Sequence, residues 1–272
     1  MKNEFLVLFL LSCTFFVYAQ ETEKADIDLD THSNSSQILN NSLFKVEIKA
    51  GVIIDCKKYS DERTLNGAVT DEYFYDSFKD FLPYLSFLIA PYFEYKNIFL
   101  ENKTEIGSVL STKAVLGYVF RLAYFDFAAG AGIFYGSSKT DENGQVYKQI
   151  YEQNILAPSV NIKFQKDFKT GLAAIVKAAY YPYMFINVMD TLPAEKYYIK
   201  AAAMGFDVEA GCAYRFKNSK FSVFIDANYA YYLADNGEIA ADTGSKFSWM
   251  RGASARLENH NLSIDLGVSY AF

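Results

Sequence analysis

Few side chains in this 272-residue sequence are suited to proton transfer near neutral pH, because it contains only two histidines. His32 lies in a polar, Asn- and Ser-rich stretch, and His260 lies at the edge of the last predicted strand. Ser254 and Ser263 are near His260 in sequence. A serine paired with a histidine is what a serine hydrolase requires. This spacing alone is a weak signal, since a single histidine at a strand edge is more often a surface residue than a base.

Metal and cofactor sites are not indicated either. Carboxylates cluster in 141–144 ("DENG") and in 235–238 ("DNGE"). Such strings contain the ligand types of a weak calcium site, but they first of all form turns. The sequence has no clustered His or Cys ligands, no phosphate-binding loop and no dinucleotide fingerprint. We therefore predict no metal and no cofactor.

Charge and cysteine content narrow the class of protein further. The formal net charge of −6 argues against nucleic acid as a partner. Of the three cysteines, Cys13 lies in the amino-terminal apolar run, so Cys56 and Cys212 are too few for a disulfide-stapled scaffold. Both lie in strand-like runs, where we expect small buried side chains, and the sequence leaves open whether they pair.

The amino end has the pattern of a secretory signal. Lys2 precedes an apolar run, and Val17 and Ala19 provide the small residues that a signal peptidase needs, which predicts cleavage after Ala19. An uncleaved anchor is disfavoured, because the run is shorter than the roughly 20 residues of a membrane-spanning helix. A lipoprotein signal ending at Cys13 is the other alternative. Residues 20–42 are polar and aperiodic, which predicts a mobile periplasmic segment.

Alternation of apolar and polar residues dominates the rest of the chain. Aromatic residues make up 17% of the sequence, and no later stretch is long enough for a membrane helix. In the last strand one parity is apolar, namely Leu262, Ile264, Leu266, Val268, Tyr270 and Phe272. The other parity is polar or small, namely Ser263, Asp265, Gly267, Ser269 and Ala271. A strand of this kind suits apolar surroundings on one side and a crowded or wet interior on the other.

About ten such strands follow one another. We predict them at 44–54, 81–96, 98–109, 114–122, 125–136, 147–166, 168–187, 197–216, 221–234 and 257–272. Residues 57–78 and 139–146 are predicted as polar loops, and the remaining connections alternate between tight and long. The fold class is therefore all-β, a transmembrane antiparallel up-and-down β-barrel of about ten strands formed by residues 43–272. A soluble sandwich or lipocalin-like barrel is the alternative, but its charged face would point outward, whereas Asp207, Glu209, Arg215 and Asp226 are predicted to face a narrow lumen.

The carboxyl end resembles the assembly signal of bacterial outer-membrane proteins. Gly267, Tyr270 and the terminal Phe272 carry this resemblance. It implies an outer-membrane location in a bacterium with two membranes, an even number of strands and both termini in the periplasm. The partners it implies are outer-membrane lipid and the barrel-insertion machinery.

The chain also resembles the omptin family of outer-membrane proteases. The stretches "YKQIYEQNILAPSVNIKFQKDF" at 147–168 and "AEKYYIKAAAMGFDVEAGCAYRFKNSKFSVF" at 194–224 are similar to omptin strands and turns. The resemblance implies an Asp-His pair on one loop that faces two aspartates on another and activates water. Asp190 stands where the first acid would be, but no histidine follows it, and 107–112 ("GSVLST") has no carboxylate for the facing pair.

Three functions therefore remain open. The first is a non-catalytic barrel whose extracellular loops bind a host molecule, a lipid or a partner protein. The second is an omptin-type aspartic endopeptidase that uses Asp190. The third is a narrow channel, although a barrel of ten strands has a lumen mostly filled by side chains.

Overall fold

A computed structural model describes residues 44–66, 68–76, 84–107, 109–143, 148–192, 195–241 and 253–272. The predicted signal peptide, its cleavage at Ala19 and the predicted segment 20–42 lie outside these residues. The described chain is all strand and turn. Its strands are β1 (Phe44–Leu65), β2 (Ala68–Asp76), β3 (Tyr84–Tyr95), β4 (Ile98–Ile106), β5 (Val109–Arg121), β6 (Asp126–Asn143), β7 (Lys148–Asp167), β8 (Leu172–Leu192), β9 (Glu195–Arg215), β10 (Phe221–Ala241) and β11 (Ser254–Ala271).

The strands form one closed antiparallel sheet. Each strand from β3 to β10 pairs with the next one in sequence, and β1 pairs with both β3 and β11. β2 pairs only with the second half of β1, from Lys58 onward, while β3 pairs with the first half, so β2 and β3 share one place in the wall. Eleven strands therefore occupy ten positions, which confirms the predicted fold class. In the described parts of the chain no helix has the length and apolar character to cross a membrane.

The two ends of the barrel differ. At one end, which we call the turn end, short connections at 96–97, 122–125, 168–171 and 216–220 join neighbouring strands. Lys96 and Asn97 have φ values of 48° and 69°, as the predicted tight turn at Asn97 requires. Phe44 and Phe272 also lie at this end. The opposite end, the hairpin end, carries the connections β1–β2, β4–β5, β6–β7, β8–β9 and β10–β11.

The two predicted loops are instead largely strand. Residues 57–65 continue β1 and residues 68–76 form β2, with a turn at Asn66, whose φ is 52°. β6 likewise continues to Asn143, and Lys139 pairs with Glu152 across β6–β7 at 2.9 Å. Their high charge is what predicts loops from the sequence. Above an apolar belt, however, both faces of a hairpin are wet, so charge does not interrupt the strand.

The outer face of the barrel is an apolar belt, as the alternation predicts. Neighbours in β5 illustrate it, since Leu116 is 60% exposed and Val115 is 7% exposed. The predicted outward parity of β11 is confirmed by Leu262, Ile264, Leu266 and Val268, which are all exposed. The belt continues around the barrel in exposed residues such as Phe87, Ile133, Val160, Phe185, Met204 and Ile225. Such a surface suits hydrocarbon rather than water.

Irregular pairings shift which residues face inward. In β8 the register shifts between Tyr181 and Met184, so Ala179 and Tyr181 face the lumen before the shift and Ile186 and Val188 after it. A similar shift follows Ala234 in β10. Toward the hairpin end these shifts turn apolar side chains into the barrel.

Cys56 and Cys212 are both free thiols. Each is partly exposed on the outer face. Cys56 lies on the same face of its strand as Ile54, and Cys212 on the same face as Tyr214. The predicted burial of these two side chains is therefore wrong, because their strand positions point to the apolar belt.

Candidate functional site

Charged side chains cross-link the lumen in its turn-end half. Lys103 of β4 lies with its Nζ atom 2.6 Å from Oδ2 of Asp265 on β11 and 3.0 Å from Oε2 of Glu209 on β9. Lys177 of β8 lies 2.6 Å from Oε1 of Glu101 on β4 and 3.0 Å from Oε1 of Glu209. Glu209 thus receives one ammonium group on each oxygen, and four strands are tied together through it.

Two smaller groups extend this network. Lys113 of β5 lies 2.9 Å from Oδ2 of Asp207, whose same oxygen accepts a hydrogen bond from the Tyr181 hydroxyl. Nearer the turn end, Glu94 pairs with Arg121 and accepts a 2.7 Å hydrogen bond from the Tyr92 hydroxyl. These contacts keep the buried charges compensated, which the low-dielectric interior requires.

The luminal positions predicted for Asp207, Glu209 and Asp226 are confirmed. Asp226 lies directly opposite Asp265 in the β10–β11 register, and Lys49 of β1 lies 3.6 Å from its Oδ2 atom. Arg215 lines the turn-end cavity as well, although its side chain is exposed. The network partners Glu101, Lys103 and Lys177 were missed. The alternation of 98–106 carried the signal for the first two, because Glu101 and Lys103 share the inward parity with buried Phe99.

A cavity of about 180 Å³ lies beside this network on its turn-end side. Lys45, Glu47 and Lys163 contribute to its wall, together with the Lys103 and Lys177 pairs. Lys163 lies over the ring of Tyr92, with Nζ 5.0 Å from the ring centre. Among the described residues no carboxylate forms an ion pair with Lys163. A smaller cavity of about 50 Å³ continues toward Lys113 and Asp207.

Apolar side chains fill the lumen toward the hairpin end. Ile199 and Leu257 are 0% exposed, and Ile186 and Val188 are 1% exposed. They belong to one buried cluster that also includes Tyr59, Ile155, Tyr181, Met184, Tyr232 and Ile239. Polar contacts lie in this half as well: Gln153 Nε2 donates a 2.6 Å hydrogen bond to the Tyr232 hydroxyl, and Arg63 pairs with Asp61 at 2.7 Å with both side chains buried. The lumen therefore has a charged half with a cavity and a packed half that is mainly apolar and encloses the Asp61–Arg63 pair.

The residues considered for catalysis are far apart in the wall. The backbone of Asp190 lies near the hairpin end of β8, paired with Tyr151 of β7 and Tyr197 of β9, and its side chain is outside the described part of the structure. His260 lies within β11, not at a strand edge, and β9 and β10 separate that strand from β8. Its ring nitrogens contact the Tyr229 hydroxyl at 2.8 Å and Oε1 of Glu258 at 3.2 Å. Ser263 is buried on the opposite face and Ser254 is six residues away, so the structure does not assemble a Ser-His pair.

The residues of the predicted assembly signal lie on the strand that closes the barrel. Gly267 is paired with Gly51 of β1, and a Cβ atom on Gly267 would collide with the Ala50 carbonyl oxygen. The ring of Tyr270 lies 4.8 Å from both the Phe221 ring and the Phe272 ring. The backbone N–H of Phe272 donates a 3.0 Å hydrogen bond to the Val46 carbonyl. Recognition by the insertion machinery remains a prediction.

Comparison with known proteins gives a likeness in fold. No protein-family model matches the sequence, and no curated protein matches it. The outer membrane protease OmpT from Escherichia coli aligns with a TM-score of 0.64 at 9% identity, over 89% of this chain and 99% of OmpT. OprG from Pseudomonas aeruginosa aligns with a TM-score of 0.35 at 9% identity, over 84% of this chain and 95% of OprG. Neisserial surface protein A aligns with a TM-score of 0.29 at 13% identity, over 83% of this chain and 97% of that protein.

The last two alignments are too distant to support an argument. The OmpT alignment, at 9% identity, bears on fold alone. The chain therefore has the fold of a bacterial outer-membrane β-barrel, closed by ten strand positions.

Proposed function

We propose that this protein is a non-catalytic outer-membrane barrel whose hairpin end binds a host molecule, a lipid or a partner protein. The observation that carries the proposal is the apolar packing inside the hairpin half, where Ile186, Ile199 and Leu257 are fully buried. These side chains fill the cross-section of the lumen through which solutes would have to pass. The barrel is therefore better suited to hold hairpins than to conduct solutes.

The apolar belt and the strand lengths support the membrane location. β8, β9 and β10 each have 21 residues. Strands of that length span roughly 70 Å. At the tilt of about 45° usual in such barrels they rise about 50 Å, against a hydrocarbon layer of about 25 Å. The excess length lies at the hairpin end, because the belt reaches Phe168 and Phe216 at the turn end. The hairpins would therefore project from the membrane.

Measurements of insertion and conductance test whether the barrel is closed to solutes. The mature chain is refolded into detergent, inserted into a planar lipid bilayer, and the current is recorded under applied voltage. We expect insertion without conductance steps. Stable conductance steps would instead favour the narrow channel that the sequence left open.

An endopeptidase is the second candidate, favoured by the OmpT-like fold and by the position of Asp190 near the hairpin end of β8. The refolded protein is incubated with a dibasic peptide, beside Asp190→Ala and a control, Asp235→Ala, which alters an exposed acid near the same end. We expect no cleavage by any of the three. Cleavage that only Asp190→Ala abolishes would replace the non-catalytic proposal.

Binding is tested on cells that display the protein. Two probes represent two partner classes, purified lipopolysaccharide and an immobilised extracellular-matrix protein. The comparison variant has the β6–β7 hairpin shortened by removal of 141–150, where Asp141 and Ile150 are paired, and closed with an Asn-Gly turn. Binding of a probe by the wild type, lost in the shortened variant, supports the proposal. Absent binding, or equal binding by both proteins, contradicts it for these two classes.

A further inference from the structure

Basic side chains are concentrated on two adjacent turns of the turn end. The β7–β8 turn and the β9–β10 turn are joined by a 2.8 Å hydrogen bond from the Arg215 N–H to the Gly171 carbonyl. We call the exposed basic residues of these turns the basic turn patch, namely Lys166, Lys169, Arg215, Lys217 and Lys220. Asp167 is the one acidic residue in 166–171 and 215–220, and it accepts a 3.1 Å hydrogen bond from Gln165.

The basic turn patch differs from the basic residues at the hairpin end. There, Lys139 lies 2.9 Å from Glu152, and Arg256 lies 3.6 Å from Asp235. None of the five patch residues forms an ion pair with an acid in the described chain. The patch therefore presents uncompensated positive charge although the whole protein is acidic.

Exposed aromatic rings surround the patch at the edge of the apolar belt. Phe168, Tyr214, Phe216 and Phe221 are between 41% and 53% exposed. The Lys166 ammonium lies 5.3 Å from the Phe168 ring centre, and the Lys220 ammonium lies 6.0 Å from that of Tyr270. Aromatic rings with basic groups beside them are typical of the depth at which lipid headgroups meet hydrocarbon.

We propose that the basic turn patch binds the phosphate groups of an anionic glycerophospholipid in the leaflet at the turn end. Phosphatidylglycerol is the simplest lipid of this class. Lysine and arginine donate to phosphate oxygens, and the neighbouring rings pack against the glycerol and upper acyl chain. The inference rests on the proposed membrane location, and it adds a lipid class and a site that the location alone does not specify.

The test removes charge from the patch and compares a matched control. The patch variant carries Lys166→Gln, Lys169→Gln, Lys217→Gln and Lys220→Gln, and it leaves Arg215 in the cavity wall. The control carries Lys58→Gln, Lys139→Gln, Lys200→Gln and Arg256→Gln, all exposed toward the hairpin end. Each protein is reconstituted with equal phosphatidylglycerol and phosphatidylcholine, and retained lipid is identified by native mass spectrometry.

We expect the wild type and the control to retain phosphatidylglycerol preferentially, and the patch variant to lose about five-fold or more of that preference. Equal loss in both variants would indicate an effect of net charge and would overturn the site. Insertion into the bilayer is scored separately, by flotation of the protein with the lipid vesicles on a density gradient. If all three proteins insert and none prefers the anionic lipid, this inference alone fails, whereas failure of the wild type to insert contradicts the membrane location as well.

Discussion

Lys103 and Asp265 form an ion pair across the lumen although their strands are not neighbours. Nζ of Lys103 lies 2.6 Å from Oδ2 of Asp265, and β1 and β3 lie between β4 and β11 in the wall. The side chain of Asp265 is 1% exposed. The contact therefore joins two separated strands through the interior, and Glu209 extends the connection to β8 and to β9, which lies opposite β4 in the wall.

Replacing Lys103 with Met should strongly destabilise the barrel. Asp265 and one oxygen of Glu209 would lose their ammonium partner, and loss of one partner of a buried ion pair costs about 3–5 kcal/mol. The free energy of unfolding is measured by urea titration of the protein in lipid vesicles. Lys139→Met is the control, since Lys139 is 56% exposed and its exposed pair should contribute less than about 1 kcal/mol. Equal losses in the two variants would show that the luminal network does not stabilise the fold.

Closing the barrel should depend on the small size of Gly267. A side chain at this position would meet the Ala50 carbonyl and the Phe224 ring, so Gly267→Val should push β11 away from β1. We expect a clear fall in the folded fraction on refolding, read from the gel shift between heated and unheated samples. Gly136→Ala is the control, because the added Cβ would meet only the ring of Phe134. A folded fraction unchanged in Gly267→Val would contradict the tight β1–β11 seam.

Truncating two leucines of β11 should lower the free energy of unfolding by very different amounts. Leu257 is 0% exposed inside the hairpin half, and Leu262 is 43% exposed on the belt. Leu257→Ala leaves a cavity among packed side chains and should lower the free energy of unfolding by about 2–5 kcal/mol. Leu262→Ala should cost less, since lipid chains can fill the space. The same urea titration measures both, and a larger loss in Leu262→Ala would contradict the assignment of inner and outer faces.

Phe272 should matter more for assembly in cells than for stability. The residue is 55% exposed, and its backbone hydrogen bond to Val46 does not depend on the side chain. We expect Phe272→Ser to refold normally in detergent but to reach the outer membrane in a several-fold lower amount, measured by fractionation and immunoblotting. The control is Leu122→Ser, which changes an exposed apolar residue at the same end. Similar amounts of both variants would argue against a terminal assembly signal.

Much of the fold could be predicted from the alternation of side chains. In β11, the parity of Leu262 and Ser263 already separates belt from lumen, and a one-residue shift would bury the wrong set. The strand ends were harder to predict, because charged residues such as Lys139 and Asp141 look like loop residues in sequence. They are strand residues of a hairpin that is wet on both faces.

The lumen was predicted only in part. Parity placed Asp207, Glu209 and Asp226 inside, but their partners come from strands far away in sequence, such as Lys103 for Glu209. The register shift after Tyr181 was not predictable either, and it is what brings Ile186 and Val188 into the apolar half. Pairing across a barrel depends on register and strand stagger, which no local pattern of residues encodes.

The central claim is that the outer face of the barrel contacts hydrocarbon while the charged parity is enclosed. Two single-tryptophan proteins test it in a Trp249→Phe background, with Leu116→Trp on the belt and Tyr92→Trp in the lumen wall. Each is refolded into vesicles whose lipids carry bromine on the acyl chains, and tryptophan fluorescence is compared with that in unbrominated vesicles. We predict strong quenching for Leu116→Trp and little for Tyr92→Trp. Quenching of neither residue, in a protein that stays dissolved without detergent or lipid, would contradict the account.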